Sequence, residues 1–258
     1  MKYNKNINNT AKWAPIAVFA ALIVTLIINI IVAKPSEIRF LVLGDWGSGS
    51  KSQKAVARAM IKKCQAEDCE FVVSVGDNFY PIGIKNTKDP QWTKKFTDLY
   101  TGLAVPFYAI LGTHDYAGNT RAQVVYSQKN SQWKMPAKFY NFEKGPANFI
   151  ATDSHQLFRN ANYRKKQAPF YKNLLPRLNS TWTILLSKHA YISAGRHGNM
   201  GNYDGRSGYG IQIKRFFERH FCGEVDLFLH GHDHSLQVLK GPRNCPGTFV
   251  VSGAGGAG

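Results

Sequence analysis

Residues 225–234 read VDLFLHGHDH, an apolar run that closes in three histidines set two apart. Imidazoles fill a packed core poorly, so three at the mouth of a buried strand point to a polar site. One cluster supplies too few ligands for a metal; other strand ends must provide the rest. The chain repeats the pattern. FLVLG is followed by Asp45, FVVSVG by Asp77, FYAILG by Thr113, His114 and Asp115, and WTILLSK by His189. In open sheets, ligands bind beyond the carboxyl ends of strands, where side chains leave the packed layer along one edge. Each residue alone has an ordinary explanation. Asp45 suits a helix cap or turn, Asp77-Asn78 an Asx turn, Tyr80 a packed aromatic, and a lone histidine a hydrogen-bonded structural role. Those explanations do not predict recurrence at five strand ends, which favours one joint site.

Apolar strand-like runs alternate with helix-like segments, the pattern of an α/β or layered α+β domain. Strands are expected in IRFLVLG, FVVSVG, FYAILG, NFIAT, WTILLS, VDLFLHG and TFVVSG, and helices over 53–65, 91–100, 163–178 and 211–221, where apolar residues fall at helical spacing. Nothing marks a second domain within 37–258.

The 258 residues and 44% hydrophobic content suit one domain with a real core and argue against disorder. Lys and Arg number 33 against 16 Asp and Glu, a formal charge of +17. The basic residues are spread out and lack the aromatic interleaving of a single-strand groove, so a solvated basic surface is expected and no nucleic-acid partner.

Residues 15–33, PIAVFAALIVTLIINIIVA, carry no charge and would span about 28 Å as a helix, close to a bilayer's hydrocarbon thickness. Lys2, Lys5 and Lys12 precede them. The positive-inside rule then places 1–14 in the cytoplasm, makes 15–33 a signal anchor and sets 37–258 in an extracytoplasmic space, periplasmic or lumenal/extracellular. A cleaved signal peptide, and hence a secreted protein, is the alternative; Ile31 two places before Ala33 argues against a small-x-small cleavage site. Four cysteines fit an oxidising compartment. Cys64 with Cys69 and Cys222 with Cys245 is the preferred pairing of three, with free buried thiols as the alternative.

GDWG, GDNFY, LGTHD, KHA and GHDH stand in the order and approximate spacing of the metallophosphoesterase motifs. More narrowly, GDNFY, WKMPAKFY, GHDHSLQ and TFVVSGAG resemble the small, tartrate-resistant purple acid phosphatases, over about 38–255. The resemblance implies a β-sandwich flanked by helices, here preceded by one transmembrane helix. It also implies a dinuclear metal centre. Asp45, Asp77, Tyr80 and His234 would hold Fe(III), and Asp77 would bridge to a divalent Fe(II), Zn or Mn held by His189 and His232. Carboxylate and phenolate oxygens suit a hard trivalent ion and imidazoles a borderline divalent one. His114 and His197 match the outer histidines that act on the phosphoryl and leaving groups. A hydrogen bond from His114 to Asp115 is the structural alternative for His114, and His230 falls outside the ligand motif.

Three departures qualify the resemblance. Thr113 stands where the family has the Asn of GNHD, a poorer donor for the second metal. Ala190-Tyr191 replace the usual residues after the ligand histidine, which puts that loop's shape in question. Family members run on past the SGAGGAG that ends this chain, leaving either a trimmed fold or an incomplete sequence. The expectation is an acid-phosphatase-type hydrolase of phosphate monoesters. A phosphodiesterase or nucleotide pyrophosphatase is the alternative within the class, and a non-catalytic, membrane-tethered phosphate-binding module the alternative outside it. Oligomeric state is not legible.

Overall fold

A computed structural model describes residues 37–257. The expected cytoplasmic segment 1–14 and anchor 15–33 lie outside the described residues. Among the described residues no helix is long and apolar enough to cross a membrane.

Two sheets form the frame. The first is wholly parallel, in the order β1 (Phe40–Leu43), β2 (Phe71–Ser74), β3 (Phe107–Ala109) and β4 (Trp133–Lys134). The second has six strands. Within it β6 (Ala147–Ala151), β7 (Trp182–Ser187), β8 (Leu227–His230) and β10 (Thr248–Ser252) run parallel, flanked by antiparallel β5 (Tyr140–Lys144) and β9 (Leu236–Lys240) at the edges. Helix α1 (Lys51–Glu67) joins β1 to β2; α2 (Thr120–Tyr126), α3 (Ser154–Arg159), α4 (Ala161–Leu174) and α5 (Ile211–His220) follow.

The inner strands of the second sheet, β6, β7, β8 and β10, are covered on both faces, which explains why they read as largely apolar runs. Phe149, Leu186 and Leu229 face the core between the sheets, while their neighbours Ile150, Leu185 and Phe228 face the core beneath the helices. Between the sheets Phe40 stacks on Phe71 at 5.0 Å, and Phe149 meets both edge-on. Trp46 is fully buried against Phe79, Phe96 and Tyr100, and its indole N–H donates to Ser74 Oγ at 2.8 Å. A buried indole with its polar atom satisfied is a stabilising anchor. It fixes the loop after β1, where Asp45 sits.

Helix α1 begins at Ser50, whose hydroxyl accepts from Gln53 N, and ends at Asp68 in left-handed backbone with its N–H returned to Cys64 O. Both caps satisfy helix-end groups that would otherwise lack partners. The disulfide Cys64–Cys69 closes over that end, and Cys222–Cys245 ties the segment after α5 to the loop before β10. Both are the preferred pairs.

All seven expected strands form, within a few residues of the expected bounds, and the first, third and fourth helices likewise. The second expected helix, 91–100, forms as well: it is helical from 91 on to Leu103, with a π-helical turn over Thr93–Thr97 and a 3-10 end over Thr101–Leu103. The expectations omitted β4, β5, β9, α2 and α3. Strand β5 is held by Tyr140 and Phe142, with Asn141 and Glu143 between them, too few apolar residues to register as a period. Strand β9 turns Leu236 and Val238 outward, each 75% exposed, which inverts the usual pattern. Helices α2 and α3 are short, 7 and 6 residues, and start at the side-chain caps Asn119 and Asp153.

The two disulfides close loops of very different length, with sequence separations of 5 and 23. Chain-entropy cost scales with the logarithm of loop length, giving roughly 2 kcal/mol for the first and roughly 3 kcal/mol for the second. Replacing Cys222 and Cys245 by serine is therefore expected to lower the denaturant midpoint more than replacing Cys64 and Cys69. Equal or reversed shifts in urea unfolding would contradict this ordering.

Candidate metal centre

The ends of β1, β2 and β3 in one sheet and of β7 and β8 in the other open on the same edge of the sandwich. Asp45, Asp77 and His232 leave those strands in left-handed backbone, with φ of 56°, 52° and 76°. Such conformations cost of order 1–3 kcal/mol each for residues with a Cβ and persist only where the surroundings enforce them. Here backbone bonds cross-tie the loops: Asp45 N donates to Gly76 O at 3.1 Å and Trp46 N to Asp77 O at 3.3 Å. Glycine is required opposite them. A Cβ on Gly112 would fall 2.2 Å from Asp77 Oδ1, and one on Gly231 would fall 2.5 Å from Asp45 Oδ2.

Asp45, Asp77, Tyr80 and His234 come together as one group. Tyr80 Oη donates to Asp45 Oδ1 at 2.9 Å or Asp77 Oδ2 at 3.0 Å, and His234 Nε2 lies 3.3 Å from Asp45 Oδ1. At their centre is a residue the sequence reading passed over. Lys188, the first residue beyond β7, is fully buried, and its ammonium pairs with Asp45 Oδ1 and, at 2.9 Å, with Asp77 Oδ2. The outer oxygens are also taken: Asp45 Oδ2 accepts from His232 N at 2.9 Å and Asp77 Oδ1 from His114 N at 2.8 Å. Burial pushes both carboxyls up, but the Lys188 ammonium outweighs it and holds them below the usual range. Burial likewise works against the Lys188 charge and is overcome by the two carboxylates, which raise its pKa. Tyr80 goes the other way. Burial and the same two carboxylates push its phenol far up, so it stands as a neutral donor.

The imidazoles form the other half. His189 is buried and its Nδ1 meets Ser154 Oγ at 3.0 Å, which directs Nε2 away from the helix. The His189 and His232 rings are 5.0 Å apart, and His197 stacks on His232 at 4.1 Å. Burial first, then neighbouring imidazoles and Lys188, holds His189 and His232 well below the ordinary histidine range. They are neutral, the state a metal ligand needs. His197 Nδ1 is 2.7 Å from Asp204 Oδ1, and its backbone N–H donates to Asp233 Oδ1 at 2.7 Å. Asp233, between two histidines of the opening motif, thus orients the 193–197 loop. Thr113 Oγ1 is buried with no hydrogen-bond partner, an arrangement that costs about 1–3 kcal/mol. His114 packs on Tyr80 at 4.1 Å with Nδ1 2.7 Å from Pro81 O.

The expected residues therefore divide into two halves. Among the described residues, no three His, Cys, Asp or Glu side chains converge as a metal cage. The half expected to hold Fe(III) does not fit an ion as it stands, because an ammonium fills it and all four carboxylate oxygens are engaged. His189 and His232, with rings 5.0 Å apart, are neutral imidazoles whose donor chemistry suits a divalent ion, and separately Thr113 Oγ1 has no hydrogen-bond partner. The His114–Asp115 hydrogen bond is corrected. Asp115 turns into the core and accepts from Gly112 N and Gln123 Nε2, each at 2.8 Å, leaving His114 free of it. His230 is buried among Phe228 and Phe249, consistent with a structural place. The loop after His189 is well formed: Tyr203 Oη donates to Ala190 O at 2.6 Å.

Lys188, Ser154 and His155 were missed. His155 stacks on Tyr116 at 4.5 Å with Nδ1 unpartnered, and burial, aided by Arg159, lowers its pKa to about 4. Lys188 lay in plain view within KHA, but a lysine just past a strand reads as a solvated end and gave no signal of its own. Ser154 and His155 follow an unrecognised helix cap and had no signal in the pattern.

The profile of the calcineurin-like phosphoesterases matches residues 38–236. Purple acid phosphatase 7 of Arabidopsis thaliana is 31% identical over 242 residues, covering 85% of this chain and 70% of that protein. Tartrate-resistant acid phosphatase type 5 of Sus scrofa is 28% identical, covering 84% and 69%. Among solved structures, one described as GAP50, the anchor in the inner membrane complex of Plasmodium, superposes with a TM-score of 0.68 at 27% identity, covering 85% of this chain and 72% of that one. Relatives so named are hydrolases with a metal centre, which accounts for five strand ends sharing one edge: the chain belongs to the calcineurin-like metallophosphoesterases, of the acid phosphatase type.

Proposed function

We propose that this chain hydrolyses phosphate monoesters at the strand-end cleft, with a divalent ion, Fe(II), Zn or Mn, supported by His189, His232 and Thr113. The observation that carries this reading is the pair of neutral imidazoles, buried His189 and half-buried His232, with rings 5.0 Å apart at neighbouring strand ends. When bound, such an ion supplies a Lewis acid for a phosphoryl oxygen and a more acidic water. The chain's own groups do the rest. Ser154 holds the His189 ring so that Nε2 faces the cleft. His114, with Nδ1 at the Pro81 carbonyl, presents Nε2 to the cleft as a donor for a phosphoryl oxygen or the leaving group. His197, with Nδ1 2.7 Å from Asp204 Oδ1 and its ring stacked on His232, would serve as a second such donor. The finer expectation of Fe(III) at Asp45, Asp77, Tyr80 and His234 rests on family resemblance and would require Lys188 to leave.

A second reading, a non-catalytic anchor, draws on the ammonium within the carboxylate group and on the relative described as an anchor in an inner membrane complex. The two disulfides support an extracytoplasmic setting for 37–258; the membrane anchor rests on the sequence of 15–33 alone.

Hydrolysis of an aryl phosphate should rise with added Zn or Mn and vanish on chelation. His114→Ala should lower the rate by roughly 10²–10⁴-fold at saturating metal, the usual range for a proton-transfer group. No turnover at any metal concentration would favour the anchor; a bis-aryl phosphodiester hydrolysed faster than the monoester would favour a diesterase. Ser154→Ala, which frees the His189 ring, should weaken divalent-ion affinity about 10–100-fold by calorimetry without unfolding the domain. Thr113→Asn, which offers an amide oxygen in place of the hydroxyl, should tighten it, and identical titration curves would show that Thr113 does not limit the site.

A further inference from the structure

The group formed by Asp45, Asp77 and Tyr80 is held together by a charge that the chain itself supplies. Lys188 leaves β7 beside Gly231, and a Cβ there would lie 3.3 Å from its Nζ as well as 2.5 Å from Asp45 Oδ2. A side chain at 231 would therefore crowd both the carboxylate and the ammonium, which ends between two carboxylates with no exposure to solvent. Its backbone is fixed as well: Lys188 N donates to Ser154 Oγ at 3.1 Å and Lys188 O accepts from Gly231 N at 3.3 Å. An ammonium is a compact point charge, and in this position it takes the volume and the oxygen donors that an ion would need.

We propose that Lys188 is a built-in substitute for the trivalent ion, so that the carboxylate half of this centre stays free of metal. This inference rests on reading the cleft as a phosphoesterase centre, but not on turnover. Two carboxylates and one ammonium leave one net negative charge at this end of the cleft. The phenol of Tyr80 donates into that charge, as its 2.9 and 3.0 Å contacts show, whereas coordination to Fe(III) would need the phenolate. The phosphoryl group is then recognised at the imidazole half, and by His114 and His197, with no trivalent ion to help.

The test is metal content and colour of the full chain loaded with iron and zinc. Wild type should bind at most one ion per chain and show no tyrosinate-to-iron charge-transfer band. Lys188→Ala should gain one further ion and the band. A wild type that binds two ions, or that is coloured, overturns the proposal, as does a folded Lys188→Ala variant that gains no ion. Should that variant fail to fold, Asp45→Asn decides: unchanged metal content relative to wild type supports the substitution, and loss of an ion overturns it. A colourless wild type that does not turn over any phosphate ester would count against the phosphatase reading while leaving the role of Lys188 intact.

Discussion

The contact between the Lys188 ammonium and the carboxylates of Asp45 and Asp77 is the constraint on which the arrangement of the cleft depends. It joins β7 of one sheet to the loops after β1 and β2 of the other, in a place closed to water. Burying three charges costs several kcal/mol per ion, and mutual attraction repays that only when the remaining hydrogen-bonding capacity is also satisfied. Here it is. Each carboxylate oxygen has a partner, two of them backbone N–H groups from neighbouring loops. Loss of one member of such a group is typically worth about 3–5 kcal/mol, a large part of the stability of a domain this size.

The same contact organises the strained backbone around it. Asp45, Asp77 and His232 adopt left-handed conformations because their side chains or N–H groups are committed to this cluster. The glycines at 112 and 231 leave room for the Asp77 and Asp45 carboxylates, and Gly231 also for the Lys188 ammonium. The imidazoles lie beyond that rigid group, and their neutrality follows from burial beside a fixed positive charge. The buried ion pair of Lys188 with Asp45 and Asp77 thus stands apart from the neutral imidazoles of His189 and His232, and the chemistry proposed for the cleft belongs to the imidazoles.

Much of the fold was legible because β1, β2, β3, β6, β7, β8 and β10 are apolar on both faces and stand out as uninterrupted runs. The elements that escaped carry little periodic signal: two-residue β4, half-exposed β5 and β9, and the short helices α2 and α3, which begin at polar caps rather than on an apolar stripe. Aspartates and histidines at strand ends were legible for a topological reason, since side chains just past parallel strands must emerge on one edge. The Cys pairs were legible from their flanking segments, which the fold brings together at 64 and 69 and at 222 and 245.

The sequence by itself determined the class of fold, the edge on which the site lies and the family, because these depend on pattern along the chain. Tertiary structure alone decided which atom sits between Asp45 and Asp77. Lys188 is more than a hundred residues from each, and a lysine after a strand reads as a solvated end until packing shows its ammonium fully buried beside Gly231 and between the two carboxylates. Pairing between distant charges depends on distance and burial, and neither is written in the local order of residues.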